Sequence, residues 1–219
     1  MKLSTAEMIC LNSLLDGQPI PNVELYAPLL PSQQYIEKTI ISLKQKGLAD
    51  EGLRLTRDGE ILLNALRQFK QAETYLVLNH LSLAFGQDRL CVYIRKHKAD
   101  YHMFYQDRAE IYWEILNKYS WLLRPDSASG YRDSPIEYHS RTEQMKDIRQ
   151  RWSLPDTALY LCKQVKEIQP IDICIGAQEE KGGCHDFLSH QYHDMTYREL
   201  RIWLWEIFEL PMEAEDYAG

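Results

Sequence analysis

The chain has 219 residues, of which 45% are hydrophobic and 11% aromatic, enough to build one large domain or two small ones and too many for a disordered protein. Its 25 basic and 32 acidic side chains give a formal charge of −7, which argues against a surface whose main role is to bind nucleic acid. Five irregularly spaced cysteines and the lack of a long apolar run predict a reduced, cytoplasmic protein without stable membrane insertion.

The first 72 residues predict three helices and one short hairpin. Ser4 and Glu7 have the spacing of a capping box at the start of the first helix. The second helix is predicted from about Ser32 to Lys46. A very short hairpin that turns at Gly52 then leads to Thr56, which caps the third helix. This order of elements is typical of a winged-helix module.

Period-two alternation of apolar residues predicts strands after this module. Tyr75–Phe85 predicts one strand, Leu90–Ile94 a second and Tyr101–Tyr105 a third. The basic run Arg95–Asp100 would be the loop between the last two. Asp107 then begins a long aromatic helix.

A similar order of elements follows in the rest of the sequence. Ile171–Ala177 predicts a strand, Cys184–Phe187 the returning strand, and Thr196 with Glu199 a capping box at the start of the last helix. The repetition of strands followed by a capped helix indicates two related halves.

We therefore predict an α+β protein with an N-terminal half at 1–125 and a C-terminal half at 126–219, related by a pseudo-two-fold axis. The segment Arg124–Pro135 is rich in Pro, Ser and Gly, which is typical of a linker. The acidic composition of the chain after residue 211 predicts a mobile tail.

A winged helix raises the hypothesis of a transcriptional regulator whose C-terminal region senses a ligand or dimerises. The helix Ser32–Lys46 would then read DNA, with Lys38 and Lys44 among its contacts. However, residues 1–72 hold eight basic and eight acidic side chains, and the wing, ADEGLR, carries two acids where phosphate contact needs cations. We keep this regulator as the alternative hypothesis and expect no nucleic-acid partner.

Residues that could ligate a metal are concentrated near the end of the chain. Cys184, His185, His190, His193 and Asp194 lie within eleven residues, and zinc uses such ligands. Only the two later histidines have a typical ligand spacing, and Cys184 and His185 would point to opposite faces of a strand. We predict no metal site.

Sequence motifs for catalysis are lacking. The chain has no nucleophile elbow, no protease pattern around a cysteine and no glycine-rich loop ahead of a helix that would cradle phosphate. We predict no enzymatic activity and no cofactor.

Two features predict a protein interface. Arg95, Lys96, His97 and Lys98 form the most basic run of an acidic chain and could steer an acidic partner. In the last helix, Ile202 and Trp205 fall outside the main apolar stripe, which consists of Tyr197, Leu200, Trp203, Leu204, Ile207 and Phe208. Ile202 and Trp205 would form an exposed anchor for a partner, unless the helix is buried on both sides.

The segment Thr39–Leu78, TIISLKQKGLADEGLRLTRDGEILLNALRQFKQAETYLVL, resembles the EspG-like chaperones of type VII secretion. In that family a helix ending in GL is followed by a short turn, a capped helix and the first long strand of a sheet. The resemblance continues through His80–Tyr105. It implies an EspG-like, quasi-two-fold α+β fold with central antiparallel sheets, flanking long helices and an N-terminal winged-helix-like segment.

The same resemblance implies a non-enzymatic cytoplasmic chaperone. Its partners would be helical-hairpin secretion substrates of the WXG100 or LXG type, which it keeps soluble for export, and the secretion ATPase is a further candidate partner. The composition is closer to the EsaE-like accessory proteins of firmicute-type systems than to actinobacterial EspG proteins. The family binds its client with the central sheet and a hairpin loop. The matching hairpin here is Arg95–Asp100, flanked by Tyr93 and Tyr101, so the resemblance implies that these residues bind the client.

Overall fold

The computed structural model describes residues 1–25, 32–78, 81–86, 89–126, 134–151, 159–165, 169–178 and 181–211. Its contacts divide the chain into two compact units. Unit 1 comprises Met1–Glu73 and His80–Tyr105, and unit 2 comprises Thr74–Asn79 and Gln106–Gly219. Each unit combines an antiparallel sheet with helices, so the predicted α+β class is confirmed.

In chain order the elements are β1 (Lys2–Ser4), α1 (Thr5–Ser13), α2 (Gln33–Gln45), α3 (Arg57–Gln71), β2 (Thr74–Leu78), β3 (Leu81–Phe85), β4 (Leu90–His97), β5 (Asp100–Asp107), α4 (Arg108–Lys118), a 3-10 turn (Ser120–Leu123), β6 (Ile136–Glu137), α5 (Arg141–Arg151), β7 (Leu159–Val165), β8 (Gln169–Gln178), β9 (Lys181–Asp186), β10 (Gln191–Met195) and α6 (Tyr197–Ile207).

Unit 1 is a sheet in the order β1-β5-β4-β3, packed against helices. Leu3 of β1 lies opposite Tyr101 of β5, and Leu83 of β3 lies opposite Tyr93 of β4, both in antiparallel pairs. Helix α1 contacts β1 and α2, while α3 contacts α1, β3 and β4. The large buried side chains of these elements include Leu3, Met8, Leu11, Leu66, Phe69, Ile94 and Met103.

The helix starts predicted for unit 1 are confirmed. The Ser4 hydroxyl accepts a hydrogen bond from the Glu7 N–H, and the Glu7 carboxylate accepts one from the Ser4 N–H at 2.6 Å. Ser32 and Thr56 cap α2 and α3 through their hydroxyls alone, which accept from the Tyr35 and Gly59 N–H groups. Gly47 follows α2 with a φ of +69°, a left-handed conformation that glycine adopts without steric cost.

The wing between α2 and α3 is reduced to a single antiparallel bridge between Ala49 and Leu55. The chain just before the wing packs closely on the start of α3. The Leu48 carbonyl oxygen lies so near Gly59 that a Cβ at this position would overlap it. The Thr56 hydroxyl also donates to the Gly47 carbonyl at 2.5 Å. The winged-helix-like segment is therefore compact, with Leu48 buried in unit 1 and the wing itself, Asp50–Arg54, exposed.

Two predicted strand boundaries are wrong. The segment Tyr75–Phe85 forms two strands, β2 in unit 2 and β3 in unit 1. The sequence predicted one strand because the apolar alternation has the same phase before and after residues 79 and 80, which lie outside the described residues. The predicted loop Arg95–Asp100 is mostly strand: β4 runs through His97, and only Lys98 and Ala99 connect it to β5. Lys98 adopts the positive φ, +56°, that this short connection requires.

The strands of unit 2 are antiparallel neighbours in the order β2-β7-β8-β9-β10-β6. Its registers place Cys184 opposite His193 and His185 opposite Tyr192 on β9 and β10. The predicted strand Ile171–Ala177 lies within β8, and the capping box of Thr196 with Glu199 is confirmed. The predicted strand Cys184–Phe187 overlaps β9, which begins earlier, at Lys181, and ends at Asp186. Helix α5 and strands β6, β7 and β10 were not predicted.

Helix α5 packs on the end of this sheet. The Gln144 side chain is fully buried, and its amide donates to the carbonyl oxygens of Asp186 at 2.8 Å and Gln191 at 3.1 Å. Ile148 of α5 belongs to the same buried cluster as Phe187 and Tyr192. These contacts attach α5 to the ends of β9 and β10.

Helices α4 and α6 pack through aromatic side chains. The Tyr112 ring meets Trp205 edge-on with centroids 5.2 Å apart, and meets Phe208 at 6.4 Å. The Arg108 guanidinium pairs with Glu209, and the Arg201 guanidinium donates to a carbonyl of the 3-10 turn. Helix α4 therefore belongs with α6 in unit 2.

The compact units differ from the predicted halves. Helix α4 and strand β2 lie within residues 1–125, the predicted N-terminal half, but their contacts assign them to unit 2. The pseudo-two-fold relation between halves stays a prediction. Most of the predicted linker Arg124–Pro135 and the whole predicted tail after residue 211 lie outside the described residues. None of the helices in the described part of the chain has the length and hydrophobicity of a membrane-spanning helix.

Candidate functional site

The β4–β5 hairpin of unit 1 carries most of the residues predicted to bind a partner. Arg95, Lys96, His97 and Lys98 are all exposed at its end, and Tyr93 is half-buried. The acidic residue beside them, Asp100, forms an ion pair with Lys2 at 2.9 Å, and that hydrogen bond lowers the pKa of the carboxyl. The end of the hairpin is therefore strongly basic. We call these five residues the hairpin surface.

Two aromatic side chains extend the hairpin surface along β5. Phe104 is 38% exposed, and its ring lies 5.1 Å from Tyr93 and 6.0 Å from His102, measured between centroids. His102 and Phe104 were not predicted, although they alternate with the buried Tyr101 and Met103, a pattern that points them to the opposite face. Aromatic rings beside cations form a surface that could contact both apolar and acidic groups of a partner.

Tyr101 does not belong to the hairpin surface, so its expected exposure there is wrong. The side chain is only 2% exposed, and its hydroxyl donates to the Glu24 carbonyl at 2.6 Å. It lies opposite Leu3, within the core of unit 1. The strand alternation of β5 decides this, since Tyr101 and Met103 share the face that is buried.

Unit 2 presents a groove lined by residues of α6, β9 and β10, with a volume of about 500 Å³. Its apolar lining includes Pro135, Met195, Ile202 and Trp203. Ile202 is 41% exposed, as expected for a side chain outside the main stripe of the helix. We call this feature the α6 groove. It places Ile202 and Trp203 next to each other at the surface.

The expected exposure of Trp205 is wrong. Only 8% of this side chain is exposed, because α4 covers that side of α6 and the Tyr112 ring packs against the indole. The alternative stated from the sequence, a helix buried on more than one side, holds for Trp205. The sequence placed Trp203 in the buried stripe of α6 and Trp205 outside it, but Trp203 is half-buried and lines the groove while Trp205 is buried, because the burial of Trp205 depends on where α4 docks.

Two carboxylates of α6, Glu199 and Glu206, line the α6 groove. Glu199 accepts a hydrogen bond from the Thr196 N–H at 2.7 Å as part of the helix cap. The Asp194 carboxylate accepts one from the Tyr192 hydroxyl at 2.7 Å, on the face of the sheet where His185 is buried. Glu206 is exposed one helical turn beyond Ile202. Among the described residues that line the groove there is no Lys or Arg. The α6 groove is therefore acidic, opposite in charge to the hairpin surface.

The potential metal ligands are separated by the sheet. Cys184 and His193 line the α6 groove, whereas His185 is fully buried between the rings of Tyr138 and Tyr192. This confirms that Cys184 and His185 point to opposite faces. Within the described residues no three His, Cys, Asp or Glu side chains come together as a group that could hold a metal ion.

His185 has an unusual electrostatic environment. Burial lowers its pKa to about 4, with the Asp147 carboxylate acting to raise it and the Arg151 guanidinium acting to lower it. The imidazole is therefore neutral at physiological pH. It forms part of the core of unit 2 and has no access to the α6 groove.

The lysines of the DNA-reading hypothesis are largely engaged within unit 1. The Lys44 ammonium pairs with Glu51 at 2.9 Å, and the Lys46 ammonium pairs with the buried Glu7 at 2.6 Å. Lys38 is exposed on α2. Two of these three cations are thus balanced by neighbouring carboxylates, which lowers the attraction of this helix for phosphate.

Comparison with known proteins places the fold. No curated protein matches the sequence. Among solved structures, the chain is similar to the Mycobacterium tuberculosis type VII secretion system chaperone EspG5, determined in complex with the PE25-PPE41 dimer. The TM-score is 0.56 at 11% identity, over 97% of each chain. This likeness confirms the predicted EspG-like fold but does not by itself make the chain an EspG protein. A family model described as Domain of unknown function (DUF5081) matches residues 1–216, and the chain therefore belongs to that family.

Proposed function

We propose that this protein is a cytoplasmic chaperone or adaptor of a type VII-like secretion system. It would bind helical secretion substrates of the WXG100 or LXG kind and keep them soluble until they reach the export machinery, where the secretion ATPase is a candidate acceptor. The observation that carries the proposal is the fold, which follows that of a secretion chaperone over 97% of both chains.

The surfaces of each unit support a role in binding protein. A helical hairpin buries most of its apolar side chains between its two helices but leaves apolar residues at its end, where they promote aggregation. The hairpin surface offers Tyr93 and Phe104 for such residues and a basic rim for their acidic neighbours. Because the rim is polar and exposed, binding there would be reversible, which release of a client requires.

The test is a binding measurement with purified full-length protein and small helical proteins of the WXG100 or LXG kind, taken from genes beside its own where such genes are found. We expect a complex in solution, detected by size-exclusion chromatography and calorimetry, and reduced light scattering from the client on warming. The double variant Arg95→Glu with Lys98→Glu should weaken binding about tenfold, since each reversal removes a favourable rim charge and adds a repulsive one.

The matched control is the double variant Lys38→Glu with Arg67→Glu, which reverses two exposed cations of the unit 1 helices instead. It should change client affinity less than about twofold. Failure of every neighbouring helical protein to bind would refute the proposal. Retention of the protein on DNA at physiological salt, lost in Lys38→Glu, would instead support the winged-helix regulator.

A further inference from the structure

The α6 groove has an ordered arrangement of charge around an apolar strip. Glu199, Ile202 and Glu206 are spaced three and four residues apart, so they lie along one face of α6 with the isoleucine between two carboxylates. At 1.5 Å per residue this face is about 10 Å long, two turns of helix. Trp203 and Met195 continue the apolar surface within the groove.

One carboxylate of the α6 groove is held in place before any partner arrives. Glu199 accepts a hydrogen bond from the Thr196 N–H in the cap of α6. Fixed charges lose little conformational entropy on binding, so an oppositely charged partner gains more from them than from mobile side chains. With no Lys or Arg among the described lining residues, this groove favours a cationic partner.

The backbone geometry disfavours a partner that adds a strand. Strand addition needs an edge with open N–H and C=O groups. Tyr192 of β10 pairs with Ile136 of β6, so this edge of β10 is already paired. Pro135, which precedes β6 and lines the groove, has no N–H to donate. A helix that lays its apolar side chains into the groove fits the remaining surface.

We propose that the α6 groove binds a basic amphipathic helix, one with an apolar stripe over two turns flanked by Lys or Arg. The inference rests on the proposed function only in identifying that helix as part of a client protein. The preference of the groove for a positively charged, helical peptide can be measured without any client protein.

The probe is a synthetic amphipathic helix of about 18 residues built from Leu and Lys, with Leu at i, i+3, i+4 and i+7. A second peptide carries Glu at every Lys position. We expect the Leu/Lys peptide to bind the full-length protein at least about tenfold more tightly than the Leu/Glu peptide, by fluorescence anisotropy. Its affinity should fall as salt is raised, because exposed charges are screened.

Variants locate the binding to the α6 groove. Ile202→Asp should weaken Leu/Lys binding about tenfold or more, as expected for a central apolar anchor. Leu188→Asp is its matched control, since Leu188 is 60% exposed in the same unit but does not line the groove. Glu206→Lys should weaken binding about three- to tenfold, whereas Glu60→Lys, an equal charge change on α3, should not.

The outcomes separate this inference from the proposed function. Equal binding of the two peptides, or equal effects of the groove variants and their controls, would overturn the assignment of the groove even if a secretion substrate binds elsewhere. Groove-dependent binding of the Leu/Lys peptide, without binding of any secretion substrate, would support the groove and refute the chaperone proposal. Circular dichroism of each variant checks that the exposed substitutions leave the fold intact.

Discussion

The most specific stability prediction concerns the buried carboxylate of Glu7. Its side chain is fully buried, yet it accepts hydrogen bonds from the Lys46 ammonium at 2.6 Å, the Ser42 hydroxyl at 2.7 Å and the Ser4 N–H at 2.6 Å. Lys46 also donates to the Lys2 carbonyl at 3.0 Å. This network joins β1 and α1 to the end of α2, so we expect Lys46→Met to destabilise unit 1.

The magnitude follows from what the methionine leaves behind. It keeps the apolar stem of the lysine but removes the cation, so a buried carboxylate loses a charged hydrogen bond worth about 1.5 to 3 kcal/mol. Because the Lys46 side chain is 32% exposed, the lower part of that range applies, and we expect a loss of about 2 kcal/mol. In a chain of this length, that loss lowers Tm by about 4 to 8 °C.

The assay compares Lys46→Met with Lys44→Met in urea and thermal unfolding. Lys44 lies one residue before the end of α2 and pairs with Glu51, whose side chain is 96% exposed, so its loss should cost less than about 0.5 kcal/mol. If the two variants lose the same free energy of unfolding, the buried ion pair does not stabilise unit 1 and the reasoning is refuted.

The same pair predicts a pH dependence. Burial by itself would raise the pKa of Glu7, but hydrogen bonds from Lys46, Ser4 and Ser42 outweigh it and hold the pKa below its ordinary value of 4.5. A carboxyl with a lowered pKa stabilises the fold above pH 4.5, and that stability is lost as pH falls through the folded-state value. The difference in stability between the wild type and Lys46→Met should therefore shrink as pH falls below 4.5.

Two further predictions concern one residue in each unit. Gly59→Ala should destabilise the protein by about 2 kcal/mol or more, because the added methyl group overlaps the backbone of the wing, whereas Gly86→Ala, with open space around its Cβ, should change the free energy of unfolding by less than about 0.5 kcal/mol. Similar Tm values for the two alanine variants would contradict this. The buried His185, with a pKa near 4, is neutral in the fold and gains a proton on unfolding below pH 6.5. The wild type should thus lose about 2 kcal/mol more stability than His185→Gln between pH 7 and pH 5, and parallel Tm-versus-pH curves would show that the histidine does not contribute.

Local signals in the sequence predicted the boundaries of several elements correctly. Ser4, Ser32, Thr56, Asp107 and Thr196 each cap the helix that they were expected to begin. A cap depends on hydrogen bonds within one turn of helix, so its residues lie side by side in the chain and can be recognised there. The class of fold followed, because alternating strands and capped helices are also local patterns.

The candidate sites were predicted less completely for a physical reason. Exposure at Arg95–Lys98 and at Ile202 follows from charge and from helical periodicity, and the structure leaves these side chains at the surface. Burial of Tyr101 and Trp205 depends on which face of β5 meets the unit 1 core and on where α4 packs. Such contacts join residues far apart in the chain, and an aromatic side chain is suited to either a core or an interface.

The sequence by itself therefore determined the helix starts, the antiparallel strands, the charge of the β4–β5 hairpin and the α+β class, because each depends on spacing between neighbouring residues, while the EspG-like fold was implied by the family resemblance of Thr39–Leu78. Only the tertiary structure decided that one alternating segment forms two strands in different units, that Trp203 rather than Trp205 reaches the surface, and that the carboxylates beside Ile202 line a groove. These features arise when elements separated by many residues pack together, and the shape and charge of a surface are properties of that packing.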